Sequence, residues 1–241
     1  MKDHLSDLVS HTVDLGVIDL IKIVGTDTTT LISGMAEDRS VIVEGQFTKP
    51  VADFVGTFGM PNLSKLKIIL SLQEYRENAK LSIKQRSDNK GPESINFANA
   101  DGDFRNSYRF MSAEMVNEKL RPVTFKGANW HVEFEPSVTS ILRLKMQAQA
   151  NAEELNFQAK TENGDLMFYF GDHSTHSGNF VFHAGVTGQL KRVWSWPIKT
   201  FISIMDLVGD KVVKISDDGA AQITVDSGLA VYNYILPAQS K

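Results

Sequence analysis

Residues 194–236 read WSWPIKTFISIMDLVGDKVVKISDDGAAQITVDSGLAVYNYIL, and this stretch decides the fold. A strand ends at Trp196, and Pro197 takes the first helical position, where its missing N–H costs nothing. Ile198, Phe201, Ile202 and Met205 follow at i, i+3, i+4 and i+7, the spacing of one apolar helix stripe. The period then drops to two, which predicts strands over 211–216, 220–225 and 229–236. The unit is helix, strand, strand, strand.

Working outward, the same order occurs three more times. Before the quoted stretch, a strand at 129–135 leads into a helix at 137–149 with Val138, Ile141 and Leu142 facing inward, then strands at 154–161, 165–171 and 178–184. Further upstream, an extended run at 51–58 precedes a helix at 62–72, started by Pro61 and Asn62, with Leu63, Leu66 and Leu70 along one face. Strands at 79–86, 93–99 and 104–110 complete that unit. The chain opens with a helix at 3–14, carrying Leu5, Leu8, Val9 and Thr12 on one face, and strands at 18–24, 28–35 and 40–48. Asp3 and Asp7 sit in its first turn, where carboxylates favour the helix dipole. Four such units pair into two similar α+β domains, 1–111 and 129–241, with helices on one face of antiparallel sheets. Residues 112–128, SAEMVNEKLRPVTFKGA, mix charge with Pro and Gly without a sustained period and read as the connector.

Composition narrows the function. The 241 residues are 42% hydrophobic and 22% charged, with a mean hydropathy of -0.17, which excludes disordered and fibrous classes. The absence of cysteine excludes disulfide frameworks, thiolate metal sites, iron–sulfur clusters and cysteine nucleophiles. The start, MKDHLSDLVSHTVDLG, has no basic region before an apolar run, and no 18-residue apolar stretch exists, so a cytoplasmic protein without a membrane span is expected. Net charge is -4, and both halves are slightly acidic, so any nucleic-acid contact must come from local placement.

Catalytic signatures are missing. No GxxxxGK[ST], GxGxxG, GxSxG or HExxH run occurs, which leaves the common nucleotide, hydrolase and metalloprotease readings without an anchor and predicts no cofactor. Asp172, His173 and His176, with His183 nearby, offer zinc-type ligands, but the spacing lacks a fourth fixed ligand and a polar surface loop explains it better. Asn99, Asp101 and Asp103 resemble the start of a calcium loop, yet the glycine is misplaced and Phe110 stands where the bidentate Glu belongs, so this is a hairpin turn.

Two features remain. The second helix carries Lys65 and Lys67, the third Arg143 and Lys145, and the fourth Lys199, and no acid occurs in 62–72, 137–149 or 197–205. Helices on one side of the sheets would bring these into one basic lining, although ordinary solvated helix faces give a similar count. The first helix departs from this, since Lys2, His4 and His11 are opposed by Asp3, Asp7 and Asp14. The second feature is the tail, where Tyr232, Tyr234, Ile235, Leu236 and Pro237 are expected to be exposed to whatever covers them. Together with Leu120, Pro122, Val123 and Phe125 of the connector they suggest a peptide-docking groove.

These residues resemble the DNA polymerase sliding clamps, most closely those of tailed phages and the proliferating cell nuclear antigen (PCNA) of archaea and eukaryotes. NLSKLKIIL resembles the second inner helix, GNFVFHAG the edge strand that pairs between protomers, and VYNYILPAQ the C-terminal strand and tail of the partner pocket. The resemblance implies a non-enzymatic homotrimeric ring that encircles duplex DNA without reading its sequence. It acts as a processivity factor for the replicative DNA polymerase and is placed by a clamp loader, in viral DNA replication in the bacterial cytoplasm if phage-encoded. It implies DNA-facing roles for Lys65, Lys67, Arg143, Lys145 and Lys199, and a peptide pocket of Leu120, Pro122, Val123, Tyr234, Ile235, Leu236 and Pro237. It also implies a protomer interface in which the 178–184 strand, with Phe180, Val181 and Phe182, meets the 104–110 strand, fringed by Arg105 and Arg109. Leu236 stands where the family has a small residue, and the acidic first helix and the 171–176 loop depart from its pattern. The alternatives are a metal-dependent hydrolase built on the His173/His176 loop and a structural phage protein.

Overall fold

A computed structural model describes residues 1–87, 91–120, 125, 127–172, 174 and 176–239. The chain divides into two compact units, Met1–Thr124 with Asp226–Tyr232, and Phe125–Val225 with Asn233–Lys241. Both are α+β with antiparallel sheets.

The first unit opens with α1 (Lys2–Ser10), β1 (Leu20–Gly25), β2 (Thr30–Met35) and β3 (Ile42–Phe47). It continues with β4 (Gly56–Pro61), α2 (Leu63–Ser71), β5 (Lys80–Gln85), β6 (Pro92–Ala98) and β7 (Arg105–Arg109). One sheet runs β4-β1-β2-β3, and the other β5-β6-β7. Register places Ile23 opposite both Ile32 and Phe58, and all three are buried, so alternation along β1 drives one face into the core. Leu5, Leu8 and Val9 of α1 and Leu63, Leu66 and Ile69 of α2 close that core, each burial stabilising by about 1.5–3 kcal/mol. The Asn99–Asp103 segment is the predicted hairpin turn: Asn99 Oδ1 accepts from the N–H groups of Gly102 (2.8 Å) and Phe104 (3.2 Å).

Three readings of this unit need correction. The first helix ends at Ser10, and Val13–Leu15 form a separate 3₁₀ turn, because the Thr12 hydroxyl donates to Leu8 O at 2.7 Å and competes with helix continuation. Asn62 does not cap α2 through its side chain. Asp19 does so from the turn before β1, accepting from Ser64 N and Ser64 Oγ, both at 3.1 Å. The connector begins with a helix, α3 (Ala113–Lys119), capped by Ser112 and packed on β4 through buried Val116. Gly59 permits that approach, since a Cβ there would lie 2.8 Å from Val116.

The second unit contains β8 (Val132–Phe134), α4 (Val138–Ala150), β9 (Asn156–Glu162), β10 (Asp165–Gly171) and β11 (Ser177–His183). β12 (Trp194–Pro197), α5 (Ile198–Met205), β13 (Asp210–Ser216), β14 (Ala220–Asp226) and the last strand, β15 (Ala230–Pro237), follow, with Ala230–Tyr232 of β15 belonging to the first unit. One sheet runs β11-β10-β9-β12, while β8, β13 and β14 are neighbours in that order and β14 is followed by β15. Its core is aromatic: Phe168 stacks on Phe182 at 4.2 Å and meets Phe157 at a tilt at 4.3 Å, and Phe201 of α5 meets Phe157 edge-on at 4.9 Å. The α5 stripe buries Ile198, Phe201 and Met205, but its fourth member, Ile202, is only half-buried and Ile204 is buried in its stead, while Pro197 is the residue before the helix. The inward face read for α4 is wrong in phase. Leu144 is its buried residue, whereas Val138 is 75% and Leu142 50% exposed. Gln147 and Asn151 lie against Gly178 of β11, and this close polar seat fixes the rotation of the helix.

Candidate nucleic-acid interface

Rotation of α2 that buries Leu63, Leu66 and Ile69 leaves Ser64, Lys65, Lys67 and Ile68 outward. Lys67 is not free: its ammonium forms an ion pair with the carboxylate of Asp14. In the second unit Lys145 of α4 pairs with Asp206, one residue beyond α5, at 2.5 Å. Arg143 is exposed and lies 5.7 Å from the centre of the Phe180 ring, a cation–π placement. Lys199 of α5 and Lys65 are exposed, and among the described residues Lys65, Arg143 and Lys199 make no ion pair. The five cations therefore sort into three open and two countered ones. Sequence reasoning missed the pairing of Asp14 with Lys67 and of Asp206 with Lys145; Asp206 adjoins the acid-free helix stretch and could have been noticed there.

The first helix presents Asp3, Ser6 and Ser10 outward. Its one lysine, Lys2, donates to the carbonyls of Tyr75 (2.5 Å) and Arg76 (2.8 Å), so α1 offers no open ammonium group.

Both strands assigned to the protomer edge end their sheets, β7 in β5-β6-β7 and β11 in β11-β10-β9-β12. Phe180 and Phe182 are buried inside the unit, and Val181 is half-buried on the other face. Arg105 and Arg109 are exposed, Arg105 Nε donating to Gly102 O at 2.7 Å and Arg109 pairing with Glu93 at 3.1 Å.

The tail differs from its expectation. Tyr232, Tyr234, Ile235 and Leu236 are buried, and Pro237 is exposed. These are positions inside β15, whose end is held by Trp196 Nε1 donating to Leu236 O (3.2 Å) and by Gln239 N donating to Ser195 O (2.9 Å). Leu120 is half-buried after α3; Pro122 and Val123 lie outside the described residues. His173 also lies outside them, Asp172 Oδ1 accepts from Ser174 N at 2.8 Å, and His183 packs its ring on Phe134 at 4.8 Å. Among the described residues no group of three His, Asp or Glu side chains could hold a metal ion, and no helix is long and apolar enough to cross a membrane.

The sequence matches no family model and no curated protein. Solved structures match it over its full length. PCNA from Thermococcus kodakaraensis superposes with a TM-score of 0.68 at 10% identity, over 99% of this chain and 97% of that one. PCNA from A. fulgidus, solved with the C-terminal region of FEN-1 bound, gives 0.73 at 8% identity, over 100% and 97%. The chain has the PCNA clamp fold. With that fold come two similar α+β domains built on antiparallel sheets, as the fourfold element order predicts.

Proposed function

We propose that this chain is a DNA sliding clamp, a non-enzymatic homotrimeric ring that encircles duplex DNA and tethers a replicative DNA polymerase. Full-length superposition on two PCNA structures carries the reading, and the chemistry of the surface supports it. A clamp needs phosphate contacts weak enough to slide, and Lys65, Arg143 and Lys199 supply a few open cations in a chain of net charge -4. The clamp domains are 1–111 and 129–241, joined by 112–128. Ring closure uses the open edges of β7 and β11, with Arg105, Arg109 and the Phe180–Phe182 segment at the junction. Exposed aliphatics support a further contact at the β11 side: Val138 and Met146 on α4, which packs on β11, are 75% and 66% exposed. Partner enzymes dock through the chain end at Pro237 and through the connector; that this fold takes a partner's peptide is supported by the A. fulgidus protein, solved with the C-terminal region of FEN-1 bound. A clamp loader opens the ring, and the working compartment is the cytoplasm, that of a bacterial host if the chain is phage-encoded.

The test is the Lys65→Ala/Arg143→Ala/Lys199→Ala variant. Its affinity for duplex DNA falls and its log–log salt slope flattens by about 0.9 per lost phosphate contact, with the fold unchanged. An unaltered slope contradicts the helix lining.

A further inference from the structure

The outward face of the β5-β6-β7 sheet carries four cations, Lys80, Lys84, Arg105 and Arg109. Register builds it in three rows across the strands: Lys80, Ala98 and Arg105; Ser82, Asn96 and Ser107; Lys84, Ser94 and Arg109. Directly opposed residues share a face, so the cations occupy four corners, about 13 Å apart along the strands and about 10 Å across them. The opposite face carries Ile83, Ile95, Phe97 and Tyr108 and is turned to the core. At the Lys80 and Arg105 end lies a shallow depression of about 570 Å³, lined also by Ser82, Asn96, Phe97, Ala98, Asn106 and Ser107. Lys84 and Arg109 share one acid, Glu93, at 2.9 and 3.1 Å. The Glu93 carboxyl is held below its ordinary range by its hydrogen bond to Lys84 and by the charges of Lys84, Arg109 and Arg86. The face thus keeps an excess of positive charge while the whole chain is at -4.

We infer that this sheet face binds the sugar–phosphate backbone of duplex DNA, as a second contact separate from the helix cations. Ammonium and guanidinium groups around hydroxyl and amide donors are the set that holds phosphates without reading bases. The outward rows contain no aromatic platform for stacked single-strand bases. Phe97 at the depression is buried, so it offers a peptide anchor no exposed aromatic surface. Pairing of β7 with another strand lies in the plane of the sheet and leaves this face open. Under the ring reading, the face engages duplex that is not encircled. The inference needs only the first unit and stands without the ring.

The experiment uses a labelled linear duplex and the full chain, with changes confined to β5 and β6, away from the β7 edge. Lys80→Gln/Lys84→Gln is expected to weaken binding severalfold at low salt and flatten the salt slope by about 1.8, two contacts' worth. Lys80→Arg/Lys84→Arg is expected to retain both. Glu93→Gln is expected to tighten binding more than Glu37→Gln, an equal charge change at a distant exposed turn. A slope unchanged in the Gln variant overturns the inference, as does a Glu93→Gln effect no larger than that of Glu37→Gln. Displacement of the duplex by poly-glutamate at equal charge concentration assigns the face to an acidic polypeptide and overturns it as well. Loss of the helix-cation effect with the sheet-face effect intact would reject the helix lining alone, so the two failures are distinguishable.

Discussion

The phenol of Tyr232, in the last strand, donates a 2.7 Å hydrogen bond to the Asp7 carboxylate in the first helix. His11 stacks on the same Tyr232 ring at 4.6 Å, nearly parallel, and its Nδ1 lies 2.8 Å from Asp7 O. The two ends of the chain are thereby joined inside the first unit, at a site where the Asp7 side chain is only 9% exposed.

Tyr232→Phe keeps the stack and the volume and removes one charge-assisted donor. The carboxylate then stays largely buried with one partner fewer, a loss of about 1.5–3 kcal/mol. Amide exchange of α1 should accelerate accordingly. Exchange equal to wild type would show that the bond adds nothing.

His4 gives a pH dependence. Its imidazole is held below the ordinary 6.5, chiefly by burial and next by the N-terminal ammonium, with Asp3 and Asp7 pulling the other way. Its Nδ1 is buried without a hydrogen-bond partner, and its ring meets Phe47 edge-on at 5.2 Å. The folded state favours neutral His4, so the unfolded chain binds more protons between the lowered value and 6.5, and stability falls as pH drops below 6.5. His4→Phe should flatten that part of the profile. Urea midpoints at mildly acidic and neutral pH measure it, and an equally steep loss in the variant would rule out His4 as the source.

Lys67 and Lys145 are countered by Asp14 and Asp206. Surface pairs of this kind add little to stability, about 0–1 kcal/mol, so their removal tests charge alone. Asp14→Asn/Asp206→Asn should leave the melting temperature nearly unchanged. It should raise duplex affinity and steepen the salt slope by up to about 1.8. An unchanged slope would place these lysines away from the DNA path.

Val181 lies mid-strand in β11, which ends its sheet. Pro there removes a ladder donor and bars strand addition. Light scattering should report three protomer masses for wild type and one for Val181→Pro. A trimeric variant would remove β11 from the junction.

Much of this was legible where one period dominates. The 165–171 strand coincides with β10, and three of the four α5 stripe positions are buried, Ile202 excepted, because both elements pack on an apolar partner surface. Phase failed at α4, where the seat on β11 is polar, formed by Gln147 and Asn151 against Gly178, and so leaves no apolar period. Helix α3 was hidden because seven residues around one buried Val116 give no repeat, though Ser112 and Lys119 are proper terminal residues. Tyr234, Ile235 and Leu236 were read as surface because a chain end looks exposed in sequence, whereas β15 pairs with β14 and all three side chains are buried.

Topology is the central claim, and retention on DNA measures it. The protein is threaded onto a duplex with one end blocked by streptavidin, the second end is then blocked, and dissociation is followed at high salt, where phosphate contacts are screened. A ring stays on the doubly blocked duplex and leaves rapidly once a restriction cut opens an end. Equal loss before and after the cut would contradict encirclement and leave only surface binding.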